Sequence, residues 1–258
     1  WGAITLGTIA LYALFLLYPM AYLIRQSVLD PDTGGFTLAY FTKFFSKSYY
    51  FETLINSFKV SITATVLSIA IGTPLAYLFT IFKIKGKSVL NILIVVASMS
   101  APFIGAYSWI LLLGRSGIIT TFFKNLGIAI PDIYGFGGIV LVMTLQLFPL
   151  VFLYAKGALK NIDNSLIEAA ENLGCSGIAC FFKVVVPLIM PTLLAAALLV
   201  FMRSFADFGT PMLIGEGYRT FPVVLYTEFI NEVGGSDGFA AAIAVIAIVI
   251  TTLVFLVQ

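Results

Sequence analysis

Histidine is absent from the 258 residues, and cysteine occurs only at Cys175 and Cys180. Their spacing fits neither a C-x-x-C redox pair nor a zinc knuckle, and no histidine is available to complete a metal site. Both read as small apolar residues on a helical stretch. Charge is scarce too: 10% of residues are Asp, Glu, Lys or Arg, against roughly 25% in a soluble domain. The chain lacks the polar surface to cover itself in water. Its formal net charge of +2, without basic patches interleaved with aromatics, gives no footing for a nucleic-acid partner. Nucleophile motifs, internal repeats and low-complexity tracts are missing, which disfavours a membrane enzyme or a multi-domain scaffold. Gly86-Lys87-Ser88 ends like a phosphate-binding loop, but the pattern needs a glycine five residues earlier, where Ile81 stands.

What is plentiful is apolar: 60% of residues are hydrophobic. A helix needs about 20 apolar residues to cross the hydrocarbon core. Six runs qualify, near Ala3–Leu23, Leu54–Phe82, Val89–Leu113, Phe136–Tyr154, Leu188–Phe208 and Gly238–Val257. They are continuous rather than alternating, so they predict helices, not a barrel. The fold class expected is an all-α integral membrane protein, a six-transmembrane-helix bundle forming one domain over residues 1–258. Both ends are expected to be cut, because Trp1 is not Met and Gln258 falls inside an apolar run. No cleavable signal peptide is read at the start.

Charge placement orients the bundle. Lys83, Lys85 and Lys87 fill the short connection between the second and third spans. Lys156, Lys160 and Lys183 lie between the fourth and fifth. Most acids, among them Asp30, Asp32, Glu52, Asp132, Glu216, Glu228, Glu232 and Asp237, fall on the opposite connections. The lysine-dense connections are therefore expected in the cytoplasm. Arg25, Lys43, Lys47, Arg115, Lys124 and Arg219 run against that scheme. On the outer side, Ile118–Leu126 reads as a short amphipathic helix at the interface. Tyr40–Tyr50 reads as an anchoring segment at headgroup level.

One stretch differs from the rest, Asn161–Pro187. Ser165-x-x-Glu168 is a capping-box pattern, so a helix is expected to start near Ser165. Leu166, Ile167, Ala169, Ala170 and Leu173 give it an apolar face with small residues. Gly174 is placed to end it, since glycine tolerates the left-handed conformation. Ser176 is placed to cap a second short helix through Lys183, and Pro187 to open the fifth span. The expectation is a cytoplasmic helix–turn–helix. Its exposed Ala and Leu need a partner, with Glu168 and Glu171 at the rim.

The run Glu168-Ala169-Ala170, three residues, Gly174, nine residues, then Val184-x-Val186-Pro187 resembles the EAA loop of permease subunits in binding-protein-dependent ABC importers. The family usually has Ile and Leu where Val184 and Val186 stand. Asn56-Ser57, opening a span that continues to Gly72-Thr73-Pro74-Leu75-Ala76-Tyr77, looks like the start of that permease domain. The resemblance implies a bacterial inner-membrane, multi-pass subunit that pairs with a second permease domain, separate or fused beyond residue 258. It implies two cytoplasmic ATPase subunits, which use the ATP and magnesium, and an external substrate-binding protein. This chain would itself be no enzyme and hold no cofactor, catalytic residue or metal. Glu168, Ala169, Ala170, Leu173, Gly174 and Pro187 would be the ATPase-coupling residues. A self-contained channel or secondary transporter is the other class, disfavoured because no span is rich in buried charge.

Ionisable groups near spans mark candidate pathways. Arg203 and Asp207 are four apart and would share a helix face, as a structural ion pair or as a pathway or gate element together with Thr210 and Pro211. Thr210-Pro211 is expected to break the helix. The loop Met212–Gly217 would meet the binding protein or dip into the cavity. The run Ala206-Asp207-Phe208-Gly209-Thr210-Pro211 is similar to the ferric-iron branch of the family. Phosphonate, polyamine and thiamine relatives share that grouping.

Overall fold

The computed structural model describes residues 1–30, 34–82, 85–99, 101–175, 177–230 and 237–256. In chain order the helices are α1 (Gly2–Tyr12), α2 (Tyr18–Ser27), α3 (Ala39–Ser46), α4 (Ser48–Ile81), α5 (Lys87–Ser98), α6 (Pro102–Leu113), α7 (Ile118–Asn125), α8 (Phe136–Lys160), α9 (Asn164–Asn172), α10 (Gly177–Cys180), α11 (Val186–Ala206), α12 (Gly209–Ile214), α13 (Phe221–Ile230) and α14 (Asp237–Leu256). Five-residue π turns, Ala13–Leu17 and Phe181–Val185, join α1 to α2 and α10 to α11. Among the described residues there is no strand, only an isolated bridge between Leu29 and Phe36. Lys83, Asp32, Ser176, Glu232 and the side chain of Glu171, all used in the sequence reading, lie outside what is described.

Among the described residues, six segments are long and apolar enough to cross a membrane: Ile4–Ser27, Ser48–Ile81, Pro102–Asn125, Phe136–Lys160, Gly177–Ala206 and Asp237–Leu256. The second begins at Ser48, so Asn56-Ser57 lies two turns inside it rather than at its start. Two spans differ in kind from expectation. The third, expected as Val89–Leu113, is not one helix. α5 stops at Ser98, Ala101 is extended (φ −68°, ψ 141°), and α6 starts at Pro102. A proline has no N–H to return to the preceding turn, and its ring drives the residue before it out of the helical region. The chain bends again at Gly114–Gly117 before α7.

The fifth span was expected to be separate from the short helix before it. Instead Gly177–Ala206 runs through, with the π turn Phe181–Val185 inside it. The Val186 N–H reaches back five residues to the Phe181 carbonyl. Pro187 explains the turn, because its ring would strike the Lys183 carbonyl four residues earlier in a regular helix. The same device recurs before Pro19, where the Tyr18 N–H reaches the Ala13 carbonyl. A proline at either site widens the helix without ending it.

The chain divides into two compact units. One comprises Trp1–Ile55 with Thr220–Val257. In it α14 packs on α2, α3 and α13. Its centre is aromatic: Phe44, fully buried, stacks on Tyr50 at 5.9 Å and meets Phe221 edge-on at 5.7 Å. The Tyr50 hydroxyl donates to Glu228 Oε1 at 3.0 Å, and the Lys43 ammonium sits 4.1 Å above the Phe239 ring. Tyr40–Tyr50, expected to anchor in headgroups, thus turns Phe44 and Tyr50 inward as core. By contrast, the apolar α1 and its π turn are exposed throughout their described side chains, which marks a face made for lipid or another chain.

The other unit is Asn56–Arg219. α8 is its axis, in contact with α5, α6, α11 and α12. α4 approaches α8 closely at Gly72, where a Cβ would lie 2.9 Å from both the Val151 Cβ and the Phe148 carbonyl. Small residues permit such approach between membrane helices. Around it Ala76, Phe79, Val151, Phe152, Val185 and Ile189 form one apolar cluster. Val60, Ala64, Ala106, Val142, Met143 and Ile214 form another.

Candidate functional site

The hairpin that joins α8 to α11 carries its own start and stop signals. α9 begins one residue before Ser165, and Asp163 caps it rather than Ser165: the Ser165 N–H donates to Asp163 Oδ1 at 2.9 Å. Backbone and hydroxyl hydrogen bonds from Ser165 hold the Asp163 carboxyl below the ordinary carboxylate range. The stop falls at Gly174, whose φ is +85°. The Cys175 N–H bonds to the Ala170 carbonyl at 3.0 Å, five residues back, which is the long bond of a Schellman stop. No atom lies within 4 Å of a Cβ built on Gly174, so backbone conformation alone demands glycine here.

This frame sorts the side chains. Ile162 and Ile167 pack against the apolar cluster of α4, α8 and α11. Leu166, Glu168, Ala169 and Leu173 face away from it, with Leu173 89% exposed. Ala170 is half-buried. After the turn, Ile178 and Phe182 are 78% and 63% exposed, while Cys180 and Phe181 point inward. Cys175 and Cys180 are not joined in a disulfide. Ile178 and Phe182 line an apolar groove of about 430 Å³ with Pro74, Tyr77, Ile81 and Phe82. Pro187 is exposed in the first turn of α11. The structure therefore gathers Glu168, Ala169, Leu173 and Gly174 on one protruding surface. Pro187 lies across the turn, on the other arm.

At the other end of α11, Arg203 and Asp207 do not pair. The helix ends at Ala206, and Asp207 is already extended (φ −72°, ψ 121°). Its carboxylate turns to the next element, accepting from the Gly209 N–H at 2.9 Å and the Thr210 hydroxyl at 2.7 Å. Thr210 and Pro211 are buried in the first turn of α12, so they start a helix instead of breaking one. Arg203 stays exposed. The loop after α12 is clamped by Arg115, which donates to Asp132 at 3.0 Å and Glu216 at 2.7 Å.

The sequence reading missed a row of hydroxyls on α4. Ser57, Ser61, Thr65 and Ser68 recur at helical spacing and are all buried. Their i, i+4 period was visible, but apolar neighbours masked it. The Ser61, Ser68 and Thr73 hydroxyls have no hydrogen-bond partner among the described residues. Among the described residues no three His, Cys, Asp or Glu side chains converge as metal ligands would.

Comparison with known proteins adds four findings. The family model for the inner membrane component of binding-protein-dependent transport systems matches residues 35–258. The ferric transport system permease protein of Actinobacillus pleuropneumoniae is 27% identical over 259 residues, covering 98% of this chain but 37% of the relative, so the chain spans less than half of that protein. The spermidine/putrescine transport system permease protein of Haemophilus influenzae is 28% identical over 251 residues, covering 93% of this chain and 87% of the relative. Among solved structures, a bacterial alginate ABC transporter with its alginate-bound periplasmic protein aligns with a TM-score of 0.82 at 16% identity, over 98% of this chain and 90% of that one. At that identity the likeness speaks for the fold.

Proposed function

The chain belongs to the family of inner membrane components of binding-protein-dependent transport systems, and from that premise we propose that it forms half of the translocation pathway of an ATP-driven importer. A second permease domain, fused or separate, supplies the other half. Two cytoplasmic ATPase subunits bind and hydrolyse ATP with magnesium, and an external binding protein delivers the cargo. Glu168, Ala169, Ala170, Leu173 and Gly174 form the docking surface on each motor, with Pro187 fixing the arm that transmits its movement. Arg203, Asp207, Thr210 and Pro211 belong to the outer gate, where Asp207 ties the end of α11 to the start of α12.

The observation that carries the coupling reading is the sorting of α9: Ile162 and Ile167 hold it to the core while Glu168, Ala169 and Leu173 stand free. Exposed small apolar residues beside a carboxylate are what a partner groove needs. Co-purification with the ATPase tests it. Glu168→Arg and Gly174→Pro should lose the ATPase at unchanged membrane expression. If the ATPase stays bound and transport is unchanged, the docking assignment is wrong. Uptake by this chain alone in vesicles without ATP would instead make it a secondary transporter or channel.

Ferric iron is the proposed cargo, from the ferric relative and the Ala206–Pro211 run. A polyamine is the second reading, because the spermidine/putrescine relative aligns over most of its own length. ATPase stimulation by a ferric-loaded binding protein supports iron. Stimulation only by a polyamine-loaded one rules iron out.

A further inference from the structure

At one end of the Asn56–Arg219 unit, the last turn of α4, the first two turns of α5 and the last turns of α8 border an open cavity of about 360 Å³. Thr80, Lys87, Ser88, Asn91, Lys156 and Lys160 line it. Three lysines therefore line one hollow. Lys87 and Lys160 lie close enough to Lys156 to repel its charge. Among the described residues every ion pair is between Arg115 and Asp132 or Glu216, and no carboxylate pairs with these lysines. Lys156 is half-buried and held in place: its ammonium donates to Asn91 Oδ1 and lies 5.3 Å from the centre of the Phe152 ring. α5 adds donors of its own. Its N-cap is Gly86 at φ +78° with no side-chain cap, and its first turn carries Lys87 and Ser88 at the positive end of the helix.

Lysines that merely snorkel at a membrane edge would spread into water. Here they converge, one of them anchored, on a hollow that also holds a hydroxyl, an amide and a positive helix end. We propose that this cavity binds a phosphate group, the chemistry shared by an anionic phospholipid headgroup and a free phosphate. The surroundings favour the lipid. The cavity sits at the end of three apolar helices, and α5 exposes Val89, Leu90, Ile92 and Leu93 within two turns of it, a surface suited to acyl chains. A bound phosphate would offset the repulsion among the lysines and brace α5, which the break at Ala101 leaves detached from α6. It is independent of the cargo and of the ATPase partner, and has nothing to do with nucleotide hydrolysis.

The test uses the purified full-length protein in detergent, with phosphatidylglycerol, phosphatidylcholine or potassium phosphate added. Bound lipid is counted by native mass spectrometry and the thermal midpoint is recorded. Phosphatidylglycerol should stay bound and raise the midpoint more than phosphatidylcholine. Lys87→Gln/Lys160→Gln should weaken its retention roughly tenfold or more, since each cation near anionic lipid contributes appreciably. Lys87→Arg/Lys160→Arg should keep it, which separates charge from damage to the fold. If millimolar phosphate gives the same shift and displaces the lipid, the site takes soluble phosphate. Equal retention of both lipids by the wild type, with no response to phosphate, overturns the proposal. So does unchanged phosphatidylglycerol retention in the Gln variant.

Discussion

Gly174 and Asp163 each hold one end of the same nine-residue helix, and they do so by different physics. Any L-residue at the Gly174 conformation of φ +85° suffers a clash between Cβ and backbone that costs roughly 1–2 kcal/mol. Since no neighbour lies within 4 Å of that Cβ, the cost is conformational and local. Gly174→Ala should therefore fray α9 without unfolding the spans. Hydrogen exchange should quicken across residues 164–175 and stay unchanged in α8; equal quickening in both would show that the stop is coupled to the core. Asp163 works by charge. Its folded pKa is depressed, so the stability it gives is present above the unfolded value of about 3.9 and fades as pH falls through the lower folded value. Protection of the Ser165 amide, taken relative to its intrinsic exchange rate at each pH, should fall at low pH in the wild type, and Asp163→Ala should abolish that fall. A wild-type amide indifferent to acid would remove Asp163 as the cap.

At the scale of elements, prolines decide where helices break and where they only widen. Ala101-Pro102 separates α5 from α6, whereas Pro19 and Pro187 each sit two residues beyond a π turn. By sequence Pro187 reads as a boundary, because a proline in the first helical turn costs nothing. A helix can also absorb the ring by one wide turn, and apolar patterning does not distinguish the two. The expected Arg203–Asp207 pair failed for a similar reason: spacing assumes a helix through Asp207, but the Gly209 and Thr210 donors turn its carboxylate away. Spans and the Gly174 stop were legible since they depend on local residue chemistry. Wide turns, and the capping of α12 by Asp207, depend on which backbone donors lie nearby in space.

Pro187→Ala removes the reason for the π turn. Reverting to regular helix rotates the segment before it by about 100° relative to α11. Cys180, now 3% exposed, should then react faster with maleimide in a Cys175→Ser background. No change in reactivity would mean that packing by Phe181 and Val185, not the proline, holds the turn. Gly72→Leu should overpack α4 against α8, since even a Cβ lies 2.9 Å from Val151 Cβ. The cost is about 1–3 kcal/mol, read as a lower thermal midpoint in detergent. An unaltered midpoint would mean that the two helices part easily there.

For the molecule as a whole, the sidedness inferred from lysine placement gains a physical check. Two connections far apart in sequence, one beginning α5 and one ending α8, share a single cavity through Lys87, Lys156 and Lys160, so within the Asn56–Arg219 unit both open at the same end. The α9 hairpin follows four residues after Lys160 and shares it. Positive charge follows the cytoplasmic face, and three clustered lysines outweigh the scattered cations that contradict the scheme. Arg115 is such an exception, but Asp132 and Glu216 neutralise it, so it says little about orientation. In a variant with Cys175 and Cys180 replaced by Ser, single cysteines at Lys85 and Glu168 should react with a membrane-impermeant maleimide only in inverted vesicles. A cysteine at Lys124, just past α6 and its bend, should react only in intact cells. Labelling of Lys85 and Lys124 positions from the same side would invert the bundle or add a crossing, and the α9 surface could then not meet a cytoplasmic motor.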